Sequence, residues 1–212
     1  MLKAQSLTKS FGSRLAVNDI SFDVKPGEVL GFLGPNGAGK STTMRMMTGF
    51  IAPTSGHAFI DELDVALHPV EARRRFGYLP ENAPLYQEMT VQDFMSFCAE
   101  TRGLTMPERK KAVDNALELC QLQGVSKQVI GTLSKGYSHR ACFAQALVHN
   151  PPALLLDEPT DGLDPNQKFE MRRMIKEMGR EKAILISTHL LDEVEDICTR
   201  VVIIDKGRLV MD

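Results

Sequence analysis

Gly34-Pro35-Asn36-Gly37-Ala38-Gly39-Lys40-Ser41 fits the spacing G-x-x-x-x-G-K-[ST], and its flanks decide how it is read. Before it, Val29-Leu30-Gly31-Phe32-Leu33 is an apolar run too short for a helix, which predicts a buried central strand. After it, residues 41–48 carry no breaker until Gly49, and Pro53 with Gly56 ends any continuation, which predicts a helix. Strand, glycine-rich loop and helix in that order make a phosphate-binding loop. Glycines without side chains let successive backbone N–H groups close around phosphate oxygens, and the helix N-terminus adds partial positive charge. Lys40 is the candidate to neutralise β and γ phosphates, and Ser41 the candidate ligand for Mg²⁺.

Further along, Leu154-Leu155-Leu156-Asp157-Glu158 is a second apolar run, and it ends in two carboxylates. A strand end of this kind puts Asp157 where it can hold Mg²⁺ and Glu158 where it can act as base toward an attacking water. Read alone, the pair is more often a solvated acidic strand end; the phosphate loop upstream reverses that balance. Around these two runs the chain alternates. Ile20, Phe22 and Val24 take turns with Ser21 and Asp23, and Pro26-Gly27 turns the chain, predicting an antiparallel opening. Residues 153–156 and 183–186 read as strands, and Pro165 opens a helix with Met171, Met174, Ile175 and Met178 on one face. Residues 201–204 and 209–211 flank Asp205-Lys206-Gly207-Arg208 as a hairpin.

Between residues 83 and 150 the period becomes helical. Thr90 and Asp93 form a capping-box-like start, followed by Phe94, Phe97 and Cys98. A second helix shows Val113, Ala116, Leu117 and Cys120. A third begins at Ser134, with Cys142, Phe143, Ala146 and Leu147 on its apolar side, and stops before Pro151-Pro152. The expected organisation is therefore an α/β core of mainly parallel strands (residues 1–82 and 151–212) with an antiparallel N-terminal β subdomain and an inserted helical subdomain (83–150).

Composition narrows the partners. The 212 residues are 43% hydrophobic and 25% charged, the balance of a globular protein with one sizeable core. Lys and Arg number 25 against 27 Asp and Glu, so no bulk positive field recommends nucleic acid or an anionic membrane surface. Cys98, Cys120, Cys142 and Cys198 lie too far apart for a zinc pattern and read as reduced, buried thiols. The N-terminus lacks the apolar stretch of a secretory signal, and no apolar run approaches the roughly 20 residues of a bilayer span. A cytoplasmic location is expected, with any membrane role supplied by a separate partner.

One more segment discriminates among phosphate-loop proteins. Leu133-Ser134-Lys135-Gly136-Tyr137 precedes the carboxylate pair, Asp161-Gly162-Leu163-Asp164 follows it, and a lone histidine stands in Ser187-Thr188-His189. With these, the chain resembles over nearly its whole length the nucleotide-binding subunit of an ATP-binding cassette transporter. It is most similar to the ATPases of ABC-2-type exporters, including the gliding-motility and multidrug types. The resemblance implies a phosphate-loop NTPase fold of the ABC ATPase type. It implies that Phe11 stacks on adenine, where a lone Phe would otherwise be read as core. Residues Gly34, Pro35, Asn36, Gly37, Ala38, Gly39, Lys40, Ser41 and Thr42 would bind the phosphates. Ser41, Glu81 and Asp157 would attend to Mg²⁺, and Glu158 and His189 would serve hydrolysis together with Glu81. Ser134 and Gly136 would meet the γ-phosphate held by an opposing copy, and Asp164 would cross the interface. Read alone, Ser134 is a helix cap.

Three positions depart from the family's commonest form: Glu81 stands for Gln, Lys135 for Gly and Tyr137 for Gln. Glu81 keeps an oxygen that could ligate Mg²⁺ or orient water, and its charge would strengthen dependence on the metal. The resemblance further implies an ATP-dependent homodimer, a separate transmembrane permease, and a peripheral location on the inner face of the membrane. Residues 81–90 are the expected contact with the permease. Two other function classes compete with this reading. A cassette ATPase acting on ribosomes or nucleic acid would show paired cassettes, a coiled-coil insertion or a basic stripe, and a GTP switch would show Asn-Lys-x-Asp; this sequence has none of these.

Overall fold

The computed structural model describes residues 1–82 and 85–211. Its elements run β1 (Leu2–Phe11), β2 (Arg14–Val24), β3 (Val29–Leu33), α1 (Lys40–Met47), β4 (Ser55–Ile60), β5 (Leu63–Asp64), α2 (Pro69–Arg73) and β6 (Phe76–Leu79). There follow α3 (Val91–Thr101), α4 (Met106–Leu119), single 3-10 turns at Gln123–Val125 and Ile130–Thr132, and α5 (Lys135–Leu147). The chain closes with β7 (Ala153–Asp157), α6 (Pro165–Met178), β8 (Ala183–Thr188), α7 (Leu191–Ile197), β9 (Arg200–Asp205) and β10 (Arg208–Met211).

Two sheets form. One is antiparallel in the order β2-β1-β4-β5, and the other runs β10-β9-β3-β8-β7-β6, parallel except for the terminal hairpin. The apolar runs of the central strands have a simple cause. In β7, Leu154 and Leu156 face the core shared with the helices, while Ala153 and Leu155 face the core shared with the other sheet and α1. In β8, Ile184 and Ile186 divide from Ala183 and Leu185 in the same way. Both faces of these strands are covered, so the sequence shows continuous apolar residues rather than alternation. Phe22 and Phe32, with ring centroids 5.5 Å apart, join the two sheets.

Helices α3, α4 and α5 fill the interval 91–147. Thr90 caps α3 by accepting from the Asp93 N–H at 3.1 Å. The buried row of α3 is Val91, Phe94, Met95 and Ala99. This corrects the expected apolar face: Phe97 is exposed, and its ring meets Tyr86 edge-on at 5.6 Å. The row on α4 (Val113, Ala116, Leu117) and that on α5 (Cys142, Phe143, Ala146, Leu147) are buried as their spacing predicts. The expected start of the helical subdomain, residue 83, lies outside the described residues. All four cysteines are free thiols; burial pushes Cys120 and Cys142 up to about 12 and Cys98 up to about 11, far from the range of a reactive thiolate.

Parallel pairing sets the position of the site. β8 lies between β3 and β7, with Leu33 opposite Thr188 and Asp157 opposite Ser187. The loops leaving β3, β7 and β8 therefore emerge side by side at the carboxyl edge of the sheet, where ligands of such sheets bind.

Candidate functional site

The loop after β3 passes too close to the rest of the fold for ordinary residues. A Cβ on Gly34 would run into the Ile204 carbonyl, and Gly39 sits at φ +111° with the Ala16 carbonyl 2.8 Å from where its Cβ would be. Gly39 is also the N-cap of α1, and no side chain caps that helix. The N–H groups of its first turn, with the positive end of the helix dipole, thus face the loop. Lys40, only 5% exposed, folds back so that its ammonium donates to the Gly34 carbonyl at 2.6 Å and the Pro35 carbonyl at 3.3 Å.

At the end of β7, Asp157 is 2% exposed and accepts from the hydroxyls of Ser41 (3.1 Å) and Ser187. Glu158 follows at φ +50°, a conformation uncommon for a residue with a side chain. Its N–H is pinned by both the carbonyl and the hydroxyl of Ser187, each at 3.1 Å. That strained turn sends the carboxylate between two cationic or protic groups: Oε1 lies 3.5 Å from the Lys40 ammonium and Oε2 3.0 Å from His189 Nδ1. Because an ionised carboxylate only accepts, Nδ1 is the nitrogen that carries the proton.

These groups line one cleft of about 600 Å³, together with Phe11, Arg14 and Ala16 from the β1–β2 hairpin, Asn36, Gly37, Gly39, Ser41 and Thr42 from the loop, Glu81, and Asp161. Phe11 is not core: it is 52% exposed, with the Lys9 ammonium 5.2 Å from its ring centroid. Asp157 reaches the cleft through Ser41, the Gly34 and Pro35 carbonyls hold Lys40, and Ala38 is buried beneath the loop. Ten of the candidate site residues named from the sequence thus line one cleft. Arg14 and Asp161 were not assigned there. Arg14 faces Phe11 across the two-residue turn of its hairpin, a pairing that could have flagged it.

Ser134, Gly136 and Asp164 are not among the residues lining this cleft. Ser134 caps α5, accepting from the Tyr137 N–H at 3.4 Å. Asp164 caps α6 by accepting from the Gln167 N–H at 3.0 Å, with Gln167 reciprocating to the Asp164 N–H at 3.4 Å. The two helix starts abut, since a Cβ on Gly136 would strike the Gln167 side chain. Lys135 lays its ammonium directly over Gly162, whose φ is +67°. The three residues therefore make a second cluster at the starts of α5 and α6. Of the departures, Glu81 lines the cleft and is exposed, and Tyr137 is 41% exposed.

An octahedral Mg²⁺ is usually bound by one or two carboxylates plus phosphates and water. The Ser41 hydroxyl and Asp157 carboxylate, already 3.1 Å apart, supply hard oxygen donors of that kind, so the residues present fit the ion. Among the described residues no group of three or more His, Cys, Asp or Glu could hold a metal ion by itself.

Comparison with known proteins supplies the context. The family model described as ABC transporter matches residues 17–161. The bacitracin transport ATP-binding protein BcrA of Bacillus licheniformis is 40% identical over 211 residues, which is 99% of this chain and 68% of that protein. The linearmycin resistance ATP-binding protein LnrL of Bacillus subtilis is 35% identical over 99% of this chain and 68% of its own length. A solved structure of the ATP-binding subunit of an ABC transporter superposes with a TM-score of 0.90 at 30% identity, covering 99% of this chain and 88% of that one.

Proposed function

Because the chain belongs to the ABC transporter family as an ATP-binding, ATP-hydrolysing subunit, we propose that it drives export through a separate transmembrane permease, on whose inner-membrane face it resides. No helix among the described residues is long and apolar enough to cross a membrane; the proposal assigns the bilayer step to the permease. Relatives whose names describe bacitracin transport and linearmycin resistance support an export role. The observation that carries the chemistry is Glu158 bracketed by Lys40 and His189 at the lip of the cleft.

In this reading Phe11 stacks on the adenine, and the loop amides from Gly34 to Thr42 take the phosphates. Lys40 leaves the Gly34 and Pro35 carbonyls to neutralise the β and γ phosphates. Ser41, Asp157 and Glu81 would hold Mg²⁺, which when bound would supply positive charge against the charge that develops on the phosphates. Glu158 takes a proton from the attacking water as its oxygen bonds to the γ-phosphorus, and the bond to the bridging oxygen breaks with its electron pair leaving on ADP. His189, fixed by Glu158 through Nδ1, turns its other nitrogen toward the γ-phosphate. A second copy completes the pocket with Ser134, Gly136 and Asp164, and dimer closure around ATP pulls on the permease. Tyr86 and Phe97, both exposed and in mutual contact, are the contact offered to it within the proposed helical subdomain, residues 83–150.

The test is Glu158→Gln, which keeps shape and removes the base. ATP turnover falls by about 10²- to 10⁴-fold while Mg·ATP binding persists, as read by equilibrium nucleotide binding beside steady-state kinetics. Turnover at the parent's rate would remove Glu158 from the role of base.

A further inference from the structure

Helix α7 buries Val194 and Ile197 as expected but inverts two other positions. Leu191 is 65% exposed, while Glu193 is 1% exposed, against the ordinary preference of both residue types. A buried carboxylate persists only where its oxygens are satisfied, and the partners of Glu193 come from three separate segments. Oε1 accepts from the hydroxyl of Thr160, in the loop that leads from Glu158 to Asp164. Oε2 accepts from the hydroxyl of Thr188 at 2.6 Å, at the end of β8 immediately before His189. Arg172 on α6, the helix that Asp164 caps, approaches Oε1 at 3.8 Å. Both threonines are as buried as the carboxylate.

The Thr188 hydroxyl also accepts from the Leu190 N–H at 3.1 Å. One proton chain, from the Leu190 amide through the Thr188 hydroxyl to Glu193, therefore spans the backbone on both sides of His189. An hydroxyl that accepts from an amide and donates to a carboxylate is fixed in direction, and so is the peptide it bridges. Glu193 does not line the cleft, so it acts on the chemistry only through the loops it holds.

We infer that Glu193 is a positioning residue for ATP hydrolysis: its carboxylate fastens the loop carrying His189 to the loop following Glu158, so that the two groups meet within one subunit. The inference rests on the hydrolytic reading above. A glutamine at 193 cannot accept both hydroxyl protons, because one carboxylate oxygen becomes an NH₂ donor. Arg172 keeps Asp192 and Asp196, each at 2.7 Å, so the substitution strands no buried cation.

The experiment uses the full-length chain and follows kcat, KM and nucleotide affinity together. Glu193→Gln is expected to lower kcat about 10- to 100-fold through misplacement of His189, with KM and Mg·ATP affinity within about threefold of the parent. In a His189→Ala background the same substitution changes kcat by less than about twofold, since the group it positions is gone. Thr188→Val reproduces the loss and Thr188→Ser, which restores the hydroxyl, recovers it; this pair answers the question if Glu193→Gln fails to fold. An active parent whose kcat withstands Glu193→Gln, or falls by the same factor with and without His189, overturns the positioning role and leaves hydrolysis standing. A parent without ATP turnover overturns both.

Discussion

The cleft and the cluster at the starts of α5 and α6 are built from the same chemistry, hydroxyls, carboxylates and helix N-termini, but they are finished to different degrees. In the cleft, residues from the ends of three adjacent strands answer one another: Lys40 meets Glu158, Glu158 meets His189, and Ser41 meets Asp157. In the cluster, Ser134 and Asp164 are turned to the amides of their own helices, and Lys135 rests on Gly162. A helix N-cap that accepts from an amide still has a function to spare, because a hydroxyl can accept and donate at once. The difference teaches that one chain brings the cleft residues together by itself but leaves Ser134, Gly136 and Asp164 outside that cleft, as the proposed two-copy pocket requires.

The sharpest way to break this comparison is to place the two halves on different chains. On the proposed reading Ser134→Ala removes one donor toward the γ-phosphate and is expected to lower turnover on the order of 100-fold, and Glu158→Gln removes the proposed base. Mixed in equal amounts, two inactive variants form mixed pairs in which one pocket has Glu158 from one copy and Ser134 from the other. Random pairing then returns about a quarter of the parent's rate, because half the pairs are mixed and each has one intact pocket of two. A mixture no faster than its components would mean that Ser134 serves its own chain, or that the chains do not pair.

A smaller effect tests the open edge of the cleft. Phe11→Ala should raise the KM for ATP about 10-fold, the worth of one base stacked on one ring, and leave kcat in place. Thermal stability is expected to hold, since Phe11 is half exposed and its removal opens no cavity. Unchanged KM would move the adenine off Phe11 and toward Arg14, its neighbour across the hairpin.

The same contrast governs what could be read from the sequence. The cleft was legible because its signals are local: glycines at fixed spacing between a strand and a helix, and an apolar run that stops at two acids. The cluster's residues were legible only through family resemblance, since Ser134 and Asp164 also satisfy the plain rules for helix caps and do satisfy them here. Strand β1 escaped because its alternation is broken. Leu2 and Ala4 are buried, the register then shifts before Leu7, and Ser6 sits at φ +49°, so a period-two reading fails midway. β6 is only four residues long. Helix α7 escaped for a different reason: it is only seven residues long, its most buried side chain is the acid Glu193, beside Val194 and Ile197, and Leu191 is exposed. Local pattern cannot report a carboxylate whose partners lie 33 and 21 residues back, at Thr160 and Arg172, and five back at Thr188. On α3 the spacing was right and the face was wrong by one residue, because Phe97 finds Tyr86 from the preceding loop instead of the core.

The smallest effect separates the two duties of Ser134. As a cap its bond is long, 3.4 Å, so Ser134→Ala should cost about 0.5 kcal/mol, the low end for a lost N-cap. That corresponds to a fall in Tm of about 1–2 °C for a chain of this size. Ser134→Asp keeps a good cap, and its charge favours the start of α5, so its Tm should match or exceed the parent's. Yet aspartate has no proton to donate and sets a negative charge against a triphosphate, so in ATPase assays it should be as slow as the alanine variant or slower. The two variants thus part in stability and agree in activity. If Ser134→Asp instead hydrolysed ATP at the parent's rate, capping would be the whole of this residue's work, and the cluster would be structure alone.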